Sequence, residues 1–300
     1  MYYPGIQRVV EMKLALGTVQ FGLNYGIANR QGQVTINEVR AILNHASVHG
    51  IDTLDTAIAY GDSEQRLGEI GVENWRVVSK LSAVPDDCRD MPQWIEDAVK
   101  ESLQRLKVKS LYGLLLHRPL QLLEKNGDKL YHALQQLKHD GLVQRIGVSI
   151  YDPAELDVLC SRYGLDIVQA PFNILDRRLI DTGWLSRLAE QGTELHVRSV
   201  FLQGLLLMTP SERPKKFVRW ASLWARWDEW LEHAGLIPLQ ACLRYALSFS
   251  EIDKVIIGVD NLKQLNEILQ AAKCPTPQIP DIFKTDDPDL LNPARWATLT

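Results

Sequence analysis

Residues 50–68 read GIDTLDTAIAYGDSEQRLG. The opening of this stretch, through Asp55, is a short apolar run of strand character, and from Asp62 onward the spacing turns helical. Asp55, Tyr60, Gly61 and Glu64 stand at the junction. An acid and a phenol at the mouth of a strand suit ordinary loop chemistry, and equally half of a proton-transfer site. Which of the two holds depends on what the neighbouring units deliver to the same place.

Working outward, the same alternation recurs. Strand candidates are KLALGT from 13, DTLDTA from 52, WRVVSKL from 75 and LYGLLLH from 111. VQRIGVS from 143, DIVQAPF from 166, ELHVRSV from 194 and KVIIGV from 254 follow. Between them lie segments of helical period such as INEVRAILNHASVHG and MPQWIEDAVKESLQRLK. Gly50 and Gly141 fall where helix C-caps favour glycine. Eight β–α units predict an α/β chain folded as one (β/α)8 TIM barrel of parallel strands, a single domain over residues 1–300. The apolar strands suit a sheet covered on both faces. A doubly wound sheet is the competing architecture, but it expects GxGxxG after the first strand. The chain instead has GTVQFGLNYGIANRQG at 17–32, whose glycines read as a flexible loop.

Two regions stand outside the repeat. Residues 209–237 read as a helical insertion with Trp220, Trp224, Trp227 and Trp230 spaced onto one helix face. That face packs against the barrel or forms an aromatic wall toward substrate. Residues 273–300, rich in Pro and Asp, read as an irregular tail.

Composition narrows the function classes. A formal charge of −4 leaves no electrostatic footprint for nucleic acid or anionic lipid. The N-terminus lacks an apolar run long enough for a leader or a membrane span. Cys88, Cys160, Cys242 and Cys274 are scattered without metal-ligand spacing, so no metal is expected and free thiols in a reducing, cytoplasmic compartment are.

A barrel places its chemistry at the C-terminal ends of the strands. That end receives Asp55 and Tyr60 from the second unit, Lys80 from VVSK and His117 from LLLHRP. A phenol has a pKa near ~10, and a neighbouring ammonium favours its ionised form. A carboxylate would keep the ammonium charged and in place, and an imidazole could orient the substrate oxygen. A general acid set up in this way contributes ~10²–10⁴-fold. Each residue has a plain alternative: a solvated lysine, a structural histidine, an aspartate capping the next helix. Their joint arrival at one rim favours the catalytic reading.

These residues also form a known pattern. DTAIAYGDSEQRLG resembles the DTA-x-x-YG-x-x-E-x-x-(x)-G signature of the aldo/keto reductase superfamily, and VVSKL, SLQRLKVKSLYGLLLHRP, IGVS, VQAPFN and IIGVDNLKQL follow in that family's order. The resemblance implies a barrel oxidoreductase that passes a hydride between a nicotinamide dinucleotide, NAD(H) or NADP(H), and a small aldehyde, ketone or alcohol. Tyr60 would be the proton donor, adjusted by Asp55 and Lys80, with His117 orienting the carbonyl. Ser149 and Gln169 would meet the nicotinamide carboxamide. Ser199, with Gln203 and Gly204 of FLQGLL, would follow the pyrophosphate. Gly258, Asp260 and Gln264 would meet the adenosine end.

The departures from the pattern carry information too. Ile150 stands where many members have Asn, and Ile268 where they have an adenine-binding Asn. Arg198 occupies the place of an aromatic that stacks on the nicotinamide; a guanidinium plane can also stack, or it could form a salt bridge at the barrel mouth. Relatives that bind a 2′-phosphate use Lys, Ser and Arg where this chain has Gly258, Val259 and Gln264, and the Arg of a GAR variant becomes Asp260. A carboxylate there repels a 2′-phosphate and accepts from a free 2′-hydroxyl, so NAD(H) is favoured over NADP(H). Lys263 and Arg244 are the cations that could reach this end. Phe21, Tyr25 and Trp220 are expected to line the substrate pocket. A different class of function also fits: an NADH-binding regulator with a protein partner and little turnover. The intact Asp55–Tyr60–Lys80–His117 set weighs against it.

Overall fold

The computed structural model describes residues 12–299; residues 1–11, read above as free of a leader, lie outside them. Eight parallel strands close into a barrel in chain order, with β8 returning to β1. They are β1 Leu14–Gly17, β2 Thr53–Asp55, β3 Arg76–Leu81 and β4 Leu111–Leu116, then β5 Val143–Ser149, β6 Ile167–Pro171, β7 Glu194–Arg198 and β8 Lys254–Gly258. Each of the strand candidates holds one of them. Their apolar runs are buried on both faces because helices cover the outside and side chains fill the inside.

The helices follow from capped, amphipathic segments. Thr35 accepts from Glu38 N to start Ile36–Val48, which buries Val39, Ile42, Leu43 and Ala46. Asp90 caps Met91–Leu106, which buries Ile95, Val99, Leu103 and Leu106. Beyond the ends of two helices, Gly50 and Gly141 take φ of 81° and 74°, as the C-cap reading expects.

The two regions outside the repeat pack against each other. Between β7 and the helix Pro238–Leu247 the chain forms turns and the helix Ala221–Ala234. Its indole face meets the C-terminal segment: Trp227 and Trp230 each lie 5.5 Å from the Phe283 ring, and Trp220 Nε1 donates to Asp287 at 2.9 Å. That segment is accordingly not irregular throughout. It holds helical turns at Asp281–Phe283, Pro288–Leu291 and Pro293–Thr298, and buries Phe283, Leu290, Leu291 and Trp296. Proline opens two of these turns, where its fixed φ and missing N–H suit a helix start. The glycine-rich stretch after β1 opens with a helical turn, Val19–Gly22. Among the described residues no helix is long and apolar enough to cross a membrane, and no metal-ligating cluster occurs. The four cysteines are free thiols.

Candidate active site

Strand register brings the four rim residues together. Asp55 ends β2 and pairs with Gly17 and Val78, while Lys80 in β3 pairs with Leu115 of β4. His117 directly follows β4, its N–H bonded to the Leu81 carbonyl. Tyr60 sits in a turn closed by its own N–H to Ala57 O.

Lys80 is 1% exposed and its three donors are all used: Asp55 Oδ1 at 2.7 Å, Asp55 Oδ2 at 2.8 Å and Thr56 O at 2.9 Å. Burial pulls its pKa down, but Asp55 and Tyr60 outweigh burial and the net shift is upward. Its ammonium lies 4.9 Å from the Tyr60 ring centroid. The His117 ring is also a neighbour of Tyr60, with centroids 6.1 Å apart and the two planes at 81°. Burial pushes His117 down to about 4, with the Lys80 and Arg198 charges acting in the same direction. The imidazole is therefore neutral at physiological pH and keeps one N–H to donate.

A titration checks this. In an NMR pH series the His117 ring signals should stay in the neutral form down to pH ~5, whereas an ordinary histidine turns over near ~6.5. A midpoint near that ordinary value would mean that burial and the two cations do not act as described. The unfolded chain takes up this proton at the higher pH and the folded chain only at about 4. Acidification through that window therefore favours unfolding.

The site is built on contacts that its signature did not announce. Asp55 also accepts from Gln169 Nε2 at 2.6 Å, and Gln169 Oε1 accepts from Ser149 Oγ at 3.1 Å. Thr18 Oγ1 donates to Asp55 O at 3.1 Å, and Ser63 Oγ to Thr18 O at 3.0 Å. Gly22 lies so close to the tyrosine loop that a Cβ there would sit 1.8 Å from Tyr60 O. The remaining signature residues hold the frame. Glu64 is buried and accepts from Ser79 Oγ and Ser102 Oγ at 2.7 Å each, and from Arg105 Nε at 2.9 Å. A Cβ on Gly68 would meet Arg105 O at 2.0 Å, so glycine lets the helices Ser63–Ile70 and Met91–Leu106 touch.

From Asp55 and Tyr60 a groove of about 330 Å³ runs past Ser199, Gln203 and Gly204 to Gly258, Asp260, Gln264 and Glu267. Ser199 and Gln203 take positive φ of 61° and 53°, and Gln203 Nε2 donates to Tyr25 OH at 2.8 Å. The loops after β1 and β7 thus meet over the groove. Gly258 leaves space that Gln20 fills; a Cβ would lie 2.4 Å from Gln20 Nε2. Gln20 and Glu267 were not singled out in the sequence, because nothing local marks a residue as facing a groove.

At the far end Asp260 N donates to Gln264 Oε1 at 2.7 Å, and Asn261 caps the helix Leu262–Ala271. Burial raises the Asp260 carboxyl despite its bond with Gln264. Asp260 Oδ1 and Gln20 Oε1 are buried acceptors without a partner, so this end of the groove can take hydroxyl or amide donors. No Lys or Arg lines the groove among the described residues. Arg244 is turned to Ala272 O and Thr276 Oγ1, and the Lys263 side chain is 87% exposed beside Glu267.

Other expectations are corrected. Arg198 forms no salt bridge among the described residues; it donates to Ile150 O at 3.0 Å and lies 4.6 Å from the Tyr151 ring centroid. Phe21 is wholly buried in the core and Trp220 faces the tail, which leaves Tyr25 of the three at the groove.

The sequence profile of the aldo/keto reductase family matches residues 13–284. The chain belongs to the aldo/keto reductase family. It is an NAD(P)H-dependent oxidoreductase. Among the proteins it is similar to, the oxidoreductase YqkF of Bacillus subtilis (strain 168) is 27% identical over 257 residues, covering 79% of this chain and 82% of that one. Human aflatoxin B1 aldehyde reductase member 2 is 25% identical, over 86% of this chain and 81% of its own. An aldo-keto reductase of Bacillus halodurans superposes with a TM-score of 0.71 at 22% identity, over 89% and 88% of the two chains. At that identity the superposition speaks for the fold alone.

Proposed function

We propose that this aldo/keto reductase reduces a small aldehyde or ketone, or oxidises the corresponding alcohol, with Tyr60 as the proton donor. The observation that carries the reading is that the Tyr60 ring has both the Lys80 ammonium, 4.9 Å from its centroid, and the His117 ring, at a centroid distance of 6.1 Å, as neighbours. When bound, a nicotinamide dinucleotide would supply the hydride. The Tyr60 hydroxyl gives its proton to the carbonyl oxygen, and the Lys80 ammonium stabilises the phenolate left behind. Asp55 holds that ammonium in place. Neutral His117 donates its N–H to the same oxygen and orients it. Oxidation of an alcohol runs through the same groups in reverse. Ser149 and Gln169 would meet the carboxamide, with Arg198 beside the ring. Ser199, Gln203 and Gly204 would follow the pyrophosphate, and Gly258, Asp260 and Gln264 the adenosine.

Carbonyl-dependent oxidation of NADH across a panel of small aldehydes and ketones tests the reading. Binding of NADH with no turnover of any of them would assign the site to a cofactor-sensing regulator instead. Free thiols suit a reducing compartment, and we place the protein in the cytoplasm.

The cofactor preference follows from charge. A 2′-phosphate would enter an end that carries Asp260 and Glu267 and no lining cation among the described residues. A free 2′-hydroxyl could instead donate to a carboxylate. Fluorescence titration should show tighter binding of NADH than of NADPH, and the reverse order would overturn this assignment.

A further inference from the structure

Gln20 stands in the helical turn after β1, outside the motifs that announced the site. Its backbone is held firmly. The Val34 N–H donates to the Gln20 carbonyl at 3.0 Å, and Phe21, the next residue, is wholly buried. The turn then ends on Gly22, packed against the Tyr60 carbonyl. From this turn the Gln20 side chain crosses to the end of β8 and lies on Gly258. A Cβ there would come within 2.4 Å of Nε2 and 3.0 Å of Oε1. Glycine at 258 thus leaves the space that a carboxamide from the other end of the chain occupies.

Gln20 lines the same groove as Tyr60, Gly258 and Asp260. Its Oε1 is buried and accepts no hydrogen bond, and neither does Asp260 Oδ1, two residues beyond Gly258. The groove's other glutamines are engaged: Gln203 Nε2 donates to Tyr25 OH, and Gln264 Oε1 accepts from Asp260 N. A buried acceptor left unpaired is costly, so two of them along one groove mark a place for donors. The hydroxyls of a ribose are such donors, whereas an ionised phosphate brings acceptors only.

We propose that Gln20 is a cofactor-binding residue, its side-chain oxygen accepting a hydrogen bond from a hydroxyl of the adenosine ribose. The assignment rests on the reading above that lays a nicotinamide dinucleotide from Tyr60 toward Gly258 and Asp260. Gln20 meets that end from the β1 side, and Asp260 from the β8 side. Both offer acceptors where no Lys or Arg lines the groove among the described residues, which suits a free diol.

Fluorescence titration of binding tests this without turnover. Wild type, Gln20→Met and Gln20→Glu are titrated with NADH and with its 2′-deoxy and 3′-deoxy analogues, altered on the adenosine ribose alone. Met keeps an unbranched stem over Gly258 and removes the oxygen, while Glu keeps an acceptor. For wild type, loss of one of the two hydroxyls should weaken binding about three- to tenfold, the size of a single hydrogen bond. Gln20→Met should bind NADH more weakly by a similar factor and lose its sensitivity to that hydroxyl, whereas Gln20→Glu should keep the sensitivity. Each protein is judged by the ratio of Kd for analogue and parent, so a general effect of the substitution on fold or groove cancels. The hydroxyl that matters to wild type and not to Gln20→Met is the partner of Gln20. Equal ratios in wild type and Gln20→Met, or a loss of sensitivity in Gln20→Glu, would overturn the proposal and leave the reductase reading standing. Failure of wild type to bind NADH would instead remove the NAD(H) assignment together with this one.

Discussion

Replacing Tyr60 by Phe should lower kcat for carbonyl reduction by ~10²–10⁴-fold while NADH binding holds. The substitution removes one oxygen and keeps the ring. The ring's placement 4.9 Å from the Lys80 ammonium, and with its centroid 6.1 Å from that of His117, is therefore kept, and the pocket should keep its shape. What is lost is the acid that delivers a proton to the carbonyl oxygen. Single-turnover oxidation of NADH, with fluorescence titration of NADH alongside, separates loss of chemistry from loss of binding. A Tyr60→Phe variant within a few-fold of wild-type kcat would exclude Tyr60 as the donor.

The second large effect falls on stability as well as activity. Lys80→Met removes the ammonium that faces both Asp55 oxygens at 2.7 and 2.8 Å, in a place where Lys80 is 1% and Asp55 5% exposed. The carboxylate is then left buried with Gln169 Nε2 as its remaining side-chain donor. Breaking a buried pair on one side costs ~3–5 kcal/mol, because the surviving charge has lost its compensation. At ~2 °C per kcal/mol for a chain of this size, the fall in Tm is roughly 6–10 °C. The double variant Lys80→Met with Asp55→Leu leaves no stranded charge and should recover part of that Tm, with turnover still absent. Thermal denaturation followed by circular dichroism, paired with turnover, reads both. Equal Tm for wild type and Lys80→Met would show that the pair contributes nothing to the fold.

The barrel was legible because its signal is local. A run such as LYGLLL or RVVSKL is apolar over one strand length, and helices with caps such as Thr35 and Asp90 stand between the runs. The strand-end residues were legible for the same reason: counting to the end of an apolar run puts Asp55, Lys80 and His117 at one rim once the strands are parallel. Errors arose where packing, not pattern, decides. The glycines after β1 read as a flexible loop, yet Gly22 is there because the Tyr60 carbonyl leaves no room for a Cβ. The Pro-rich tail read as irregular, yet its apolar residues find the tryptophan face and order it into turns.

By itself, then, the sequence determined the order and direction of the barrel's units and which chemical groups reach its C-terminal rim, since both follow from period and spacing along the chain. Tertiary structure alone decided that Gln169 bonds to Asp55, 114 residues away in sequence, and that Glu64 ties Ser79 to Ser102 and Arg105. It decided also that Arg198 turns to a carbonyl instead of a carboxylate, and that Arg244 points away from the groove. The physical reason is one of range. Periodicity records which face of an element is buried, whereas the partner of a polar side chain depends on where distant loops end.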